Sequence, residues 1–166
     1  MFDLRRLVHI RRSTRQTTVE QTIGSLSPGE PVKLVAINQN AGDSETLRQI
    51  AASYGWKIAI VGSSDAAIAL LKEQPTPLVI CDSDITGEAW SDVLGKIAAL
   101  PQAVCVLLAS RVVDDYLWKQ VIRHHGYDVV VKPFQPEQLR RAVTFAWLWR
   151  GWAHRHHAEV LRKPTA

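Results

Sequence analysis

Cysteine is scarce in this chain: there are two, Cys81 and Cys105. Each sits inside a run that reads as a buried strand, where a free thiol behaves as a small hydrophobe. Two cysteines make neither a disulfide framework nor a zinc site, so a reducing cytoplasm is expected. Long apolar runs are missing too. None approaches the roughly 18 residues of a membrane span. The first twenty residues carry Arg5, Arg6, Arg11, Arg12 and Arg15 without the apolar segment of a signal peptide. A cytoplasmic protein with no membrane span is the expectation. No glycine-rich fingerprint or phosphate cradle follows the first apolar run, which weighs against dinucleotide and flavin sites. The absence of a G-x-S-x-G elbow weighs against a hydrolase triad assembled from Ser110, Asp82 and a histidine. Internal repeats and low-complexity segments are absent as well.

What charge there is lies unevenly. Of the net +4, residues 1–31 contribute five Arg against three acids, 32–134 nine bases against eleven acids, and 135–166 six bases against two. An acidic middle with basic ends fits a solvated arm and a terminal helix better than a nucleic-acid domain, so no nucleic acid is expected as partner. Residues 1–31 show no sustained period and close on "SLSPGEP", which predicts a flexible arm ending in a turn.

From residue 33 the pattern changes. "KLVAI" is a short apolar run, followed by Leu47, Ile50, Ala51 and Tyr54 at helical spacing over 43–54. The unit then repeats: "KIAIVG" with a helix over 64–73, "LVIC" with one over 90–99, "AVCVLLA" with one over 113–124, and "DVVV" with one from 136. Five apolar strands alternating with five amphipathic helices predict an α/β domain, a parallel sheet covered on both faces. In such a sheet, sites form beyond the carboxyl ends of the strands. That edge receives Asn38, Gln39 and Asn40 after strand one, Asp82 after strand three, Ser110 after strand four and Lys132, followed by Pro133, after strand five. A carboxylate, a hydroxyl and an ammonium on one edge suit phosphoryl chemistry, since the carboxylate can attack while the other two bind the transferred oxygens.

The stretches "VVVKPFQPEQL" and "PLVICDSDITGEAWSDVL", with Lys132 lying 22 positions after Ser110, resemble the receiver domain of bacterial response regulators. The resemblance covers about residues 33–150 and implies a single flavodoxin-like, doubly wound domain of five parallel strands ordered 2-1-3-4-5. It implies that Asp82 is the phosphoryl acceptor, that Ser110 binds the phosphoryl oxygens and that Lys132 pairs with the acceptor. It also implies a sensor histidine kinase or phosphotransfer protein as partner, with neither enzymatic turnover nor a small-molecule substrate. The organisation expected is an arm over 1–31, a receiver-like domain over 32–150 and a helical extension over 151–166. That last stretch is too short for an output domain, so the protein is expected to signal by protein–protein contact.

Two departures accompany the resemblance. Receivers normally hold Mg²⁺ with an acidic pair at the end of strand one, where this chain has Asn38 and Gln39. Taking Asp82 and Lys132 alone, the site sums to zero charge. Each lost unit charge weakens metal attraction by about 4 kcal/mol for charges about 4 Å apart at an effective dielectric of about 20. Mg²⁺ is therefore expected to bind weakly, through Asp82 and Asp84, with Asp84 restoring one negative charge if its loop stays extended. The plain alternative leaves Asp84 in solvent. Val129 also replaces the aromatic that many receivers carry three residues before the lysine, and Tyr127 does not simply take its place. A phosphorylation-independent pseudo-receiver, acting as a dimerisation or binding module, is the alternative reading.

In the last helix, Leu139, Val143 and Ala146 are expected to face the sheet, with Phe145, Trp149 and Trp152 on a second stripe. Exposed aromatics of that size suggest a partner surface, against the alternative that Trp149 folds back into the core. By resemblance the favoured partner is a second copy, docked through helix four, strand five and helix five. His154, His156 and His157 offer a metal pair through 154/157, set against a solvated helix end.

Overall fold

The apolar runs form five short strands because each alternates between two buried layers. The computed structural model describes residues 31–74 and 76–160, with side chains through Trp149. Residues 1–30 of the expected arm, the tail from 161, and the side chains of Trp152, His154, His156 and His157 lie outside the described residues.

The elements run β1 (Lys33–Ile37), α1 (Ala41–Ser53), β2 (Lys57–Val61), α2 (Ser64–Glu73), β3 (Leu78–Asp82), α3 (Trp90–Ala98), β4 (Cys105–Ser110), α4 (Asp115–Arg123), β5 (Asp128–Val131) and α5 (Pro136–Val160). All pairings are parallel, in the order β2-β1-β3-β4-β5. The chain steps outward from β1 to β2 and then crosses to β3, so the switch point lies between β1 and β3.

Alternation along the strands divides the core. Leu34, Ala36, Leu78, Ile80, Leu107 and Ala109 point to the face covered by α1 and α5. Val35, Ile37, Val79, Cys81, Val106 and Leu108 point to the face covered by α2, α3 and α4. Leu139, Val143 and Ala146 of α5 are buried on the first face, at i, i+4 and i+7. Full burial of a leucine or valine side chain such as Leu139 or Val143 stabilises by about 1.5–3 kcal/mol.

The margins differ from the sequence expectation. Uniformly apolar strands predict burial on both sides, yet β2 is only half-buried because it has a single neighbour. Side-chain caps also set helix starts that periodicity misses: Asn40 accepts from the Asp43 amide and Asp114 from the Leu117 amide, which places the starts at Ala41 and Asp115. Between α4 and β5 the chain turns through His125 at φ 68° and then Gly126. A Cβ at Gly126 would collide with the Val121 side chain and lie 2.9 Å from Leu94 Cδ2, so only glycine lets α4 close onto the sheet there.

Candidate functional site

Asp82 and Ser110 are the last residues of their strands, not the first beyond them, and Lys132 follows β5 directly. The parallel register carries all three to the carboxyl edge. The Lys132–Pro133 peptide is cis.

Lys132 is the centre of the site, its side chain 2% exposed. Its ammonium donates to both oxygens of Asp82, at 2.7 and 2.8 Å. It also reaches Asp84 Oδ2 at 3.4 Å and Asp43 Oδ2 at 3.3 Å. Burial pulls the Lys132 pKa down, but the hydrogen bond and charge of Asp82, followed by those of Asp43, outweigh it and leave the net shift upward. The lysine is therefore held as an ammonium.

Asp43 went unnoticed in the sequence reading. Its signal was the Asn40-x-x-Asp43 spacing, which sets a carboxylate in the first turn of the helix behind strand one, at the edge where the site lies. It corrects the charge count. Three carboxylates face the one ammonium, a net charge of −2, or −1 with Arg111, whose guanidinium lies 3.9 Å from Asp84.

The remaining positions around Asp82 are filled by neutral donors. Asn38 Nδ2 donates to Asp82 Oδ2 at 2.9 Å, and the Asp84 amide donates to Asp82 Oδ1 at 3.0 Å. The Asn38 amide has one orientation open to it, because its Oδ1 accepts from the Asn40 amide at 2.8 Å and from Ser44 Oγ at 3.2 Å. Gln39 spans the mouth. Its Oε1 accepts from Thr86 N at 3.0 Å and Thr86 Oγ1 at 2.8 Å, while its Nε2 donates to Gly62 O at 2.9 Å. Ser110 turns to its own loop, its hydroxyl donating to Val112 O at 2.8 Å. Beside Asp82, burial and then the charges of Asp82 and Glu88 push the Cys81 thiol up to about 12, which keeps it unreactive.

Receiver domains generally hold Mg²⁺ in an acidic pocket. The residues here do not fit the ion. Both amide oxygens after β1 are committed to protein donors, both Asp82 oxygens to Lys132, and the carboxylates of Asp82 and Asp84 meet across the ammonium. Among the described residues no group of three or more His, Cys, Asp or Glu side chains is placed to hold a metal ion.

A second polar centre lies along the same edge. Glu88, in the β3–α3 loop, accepts from Ser64 N at 3.0 Å, Ser64 Oγ at 2.6 Å and Lys96 Nζ at 2.9 Å. It ties that loop to the start of α2 and to α3. Sequence reasoning passed over it because a single glutamate in a loop carries no periodic signal.

Val129 packs with the α2, α3 and α4 face, whereas Tyr127 packs on the opposite face, its ring centroid 6.3 Å from that of Trp149. Trp149 is 38% exposed and Phe145 half-buried. Trp118, Ile122 and Val131 add exposed apolar surface on α4 and β5. No helix among the described residues is long and apolar enough to cross a membrane.

A family model described as the response regulator receiver domain matches residues 36–144. No curated protein matches the sequence. Among solved structures, the chain is similar to the chemotaxis response regulator CheY4 of Vibrio cholerae, at 13% identity and TM-score 0.66 over 70% of this chain and 99% of that one. It is similar to a CheY-like receiver domain protein from Methanospirillum hungatei at 11% identity and TM-score 0.67, over 75% and 99%. A third likeness, at 13% identity and TM-score 0.61 over 69% and 87%, is to a co-crystal structure from Saccharomyces cerevisiae of the histidine phosphotransfer signalling protein Ypd1 with the receiver domain of its downstream regulator Ssk1. At these identities the structures establish the flavodoxin-like fold, and the family match establishes the rest: this chain belongs to the response regulator receiver domain family, a module of two-component signalling.

Proposed function

We propose that residues 32–150 form the receiver unit, that Asp82 accepts a phosphoryl group from a phosphohistidine, and that the protein signals through contacts with another protein. One observation carries this reading: a lysine ammonium lies within 2.8 Å of both oxygens of a carboxylate at the carboxyl edge of the sheet. In the transfer, an Asp82 oxygen forms a bond to phosphorus as the phosphorus–nitrogen bond breaks. The imidazole leaves with a proton taken from solvent, and Lys132 stays to pair with the new phosphoryl oxygens. Ser110 would join them once its hydroxyl swings away from Val112 O. The donor is a histidine kinase or a phosphotransfer protein, the class of partner seen with the yeast receiver. Incubation with a phosphorylated histidine phosphotransfer protein, or with acetyl phosphate, should give one phosphoryl adduct by intact mass. Asp82→Asn should abolish it.

The hydrogen bond from Asn38 to Asp82 favours a second reading, a pseudo-receiver whose carboxylate is permanently engaged. Wild-type protein that takes no adduct from a competent phosphotransfer partner would select it. Under either reading the exposed Trp118, Ile122, Val131 and Trp149 of α4, β5 and α5 form the contact surface, with a second copy as occupant. Light scattering should show a dimer that Trp149→Glu converts to monomer.

A further inference from the structure

We infer that the acceptor pocket takes up no Mg²⁺, and that Asn38 and Gln39 do the loop tying that a bound cation would otherwise do. The inference rests on the receiver reading of the same pocket and concerns what that pocket binds.

Three observations carry it. The first is donor supply. Mg²⁺ requires near-octahedral oxygen ligands at about 2.1 Å and gives up water reluctantly. To offer it Oδ1, Asn38 would have to turn over, which strips the Asn40 amide and the Ser44 hydroxyl of their acceptor. Asn38 and Ser44 are both buried, so the Ser44 hydroxyl would lose its acceptor without water to replace it. Gln39 is bound in the same way by Thr86, whose amide and hydroxyl share its one oxygen.

The second is the internal cation. The ammonium of Lys132 touches Asp43, Asp82 and Asp84 at once. It engages both oxygens of Asp82 and one oxygen each of Asp43 and Asp84, so a divalent ion would have to share those acceptors with it. The ion pair forms within the chain and costs no association entropy.

The third is geometry without a metal. Gln39 joins the β1–α1 loop to the β2 end and to the β3–α3 loop, through Gly62 O and Thr86. Asn38 fixes the β1 end to Asp82. The loops that a shared ion would draw together are already held.

Isothermal titration of the full chain with MgCl₂, beside thermal unfolding in EDTA and in millimolar MgCl₂, tests this without any phosphodonor. Wild type should give no saturable heat and no rise in its unfolding temperature. Asn38→Asp replaces the amide donor to Asp82 with a fourth carboxylate, so it should unfold at a lower temperature in EDTA and gain a saturable Mg²⁺-dependent rise. Gln39→Asp, at an exposed position, should gain a smaller rise and serves if Asn38→Asp fails to fold. Saturable uptake by wild type that Asp82→Asn removes would overturn the inference. Uptake undiminished in Asp82→Asn lies outside the pocket and supports it. If neither aspartate variant gains a rise, the assignment of the exclusion to the amides is overturned. Phosphoryl acceptance is read separately by mass, and where it occurs should proceed equally in EDTA.

Discussion

Two lysines meet carboxylates along the same edge of this sheet, and their surroundings make them different objects. Lys132 is 2% exposed and shared by three carboxylates, whereas Lys96 is 46% exposed and paired with Glu88 over a serine hydroxyl. The first pair has left water, and neither partner can be removed without stranding the other. The second keeps much of its hydration, and solvent covers for whichever half is lost. One centre gathers three carboxylates on a buried ammonium, the other holds a loop in place.

The sharpest attempt to break this contrast is Lys132→Met, which leaves three carboxylates without their counter-ion and should destabilise by about 3–5 kcal/mol at neutral pH in urea unfolding. An effect below 1 kcal/mol would mean that the two centres are equivalent. Glu88→Ala comes next. It strips Ser64 of an acceptor in a partly buried setting and should cost about 1–2 kcal/mol. Lys96→Met should cost about 0–1 kcal/mol, in keeping with an exposed pair.

Acidity separates the centres further. Burial pushes the Glu88 carboxyl up, but its bonds from Ser64 and Lys96 bring it net below its ordinary value of 4.5. Its contribution is present above that value and lost as pH falls through the lower folded one. Lys132 is raised above 10.5, so its contribution is present below that value and lost as pH rises through the folded one. A pH series of unfolding midpoints should therefore show a shallower acid-side slope in Glu88→Gln, while Glu137, also held below its ordinary value, keeps its share of that slope and Lys132 its share of the alkaline one.

Much of the architecture was legible because alternation and helical spacing are properties of neighbouring residues. "LVIC" and "VVVKPF" could be placed on strands ending at one edge without knowing their order, which came from the resemblance to receivers. The pocket was legible only in part. Asp82 and Lys132 meet because the topology brings strand ends together. Which way the Asn38 amide faces depends on Ser44 and Asn40, and a side-chain rotation leaves no periodic trace. Asp43 was hidden for a different reason: an acid in the first turn of a helix reads as a partner for the helix dipole, and only the folded chain shows that the lysine arriving 89 residues later needs it.

The last helix is out of proportion to the sheet it covers. Its 25 residues extend about 37 Å, while the six residues of β4, the longest strand, span about 20 Å. It starts beside Lys132 and runs antiparallel to the strands, so its distal turns project past the opposite edge. That makes it a lever with its fulcrum near Asp82. A tilt of about 10° at the root would swing the tip by about 6 Å for a rod of that length, turning a small adjustment near one carboxylate into a displacement as wide as a side chain.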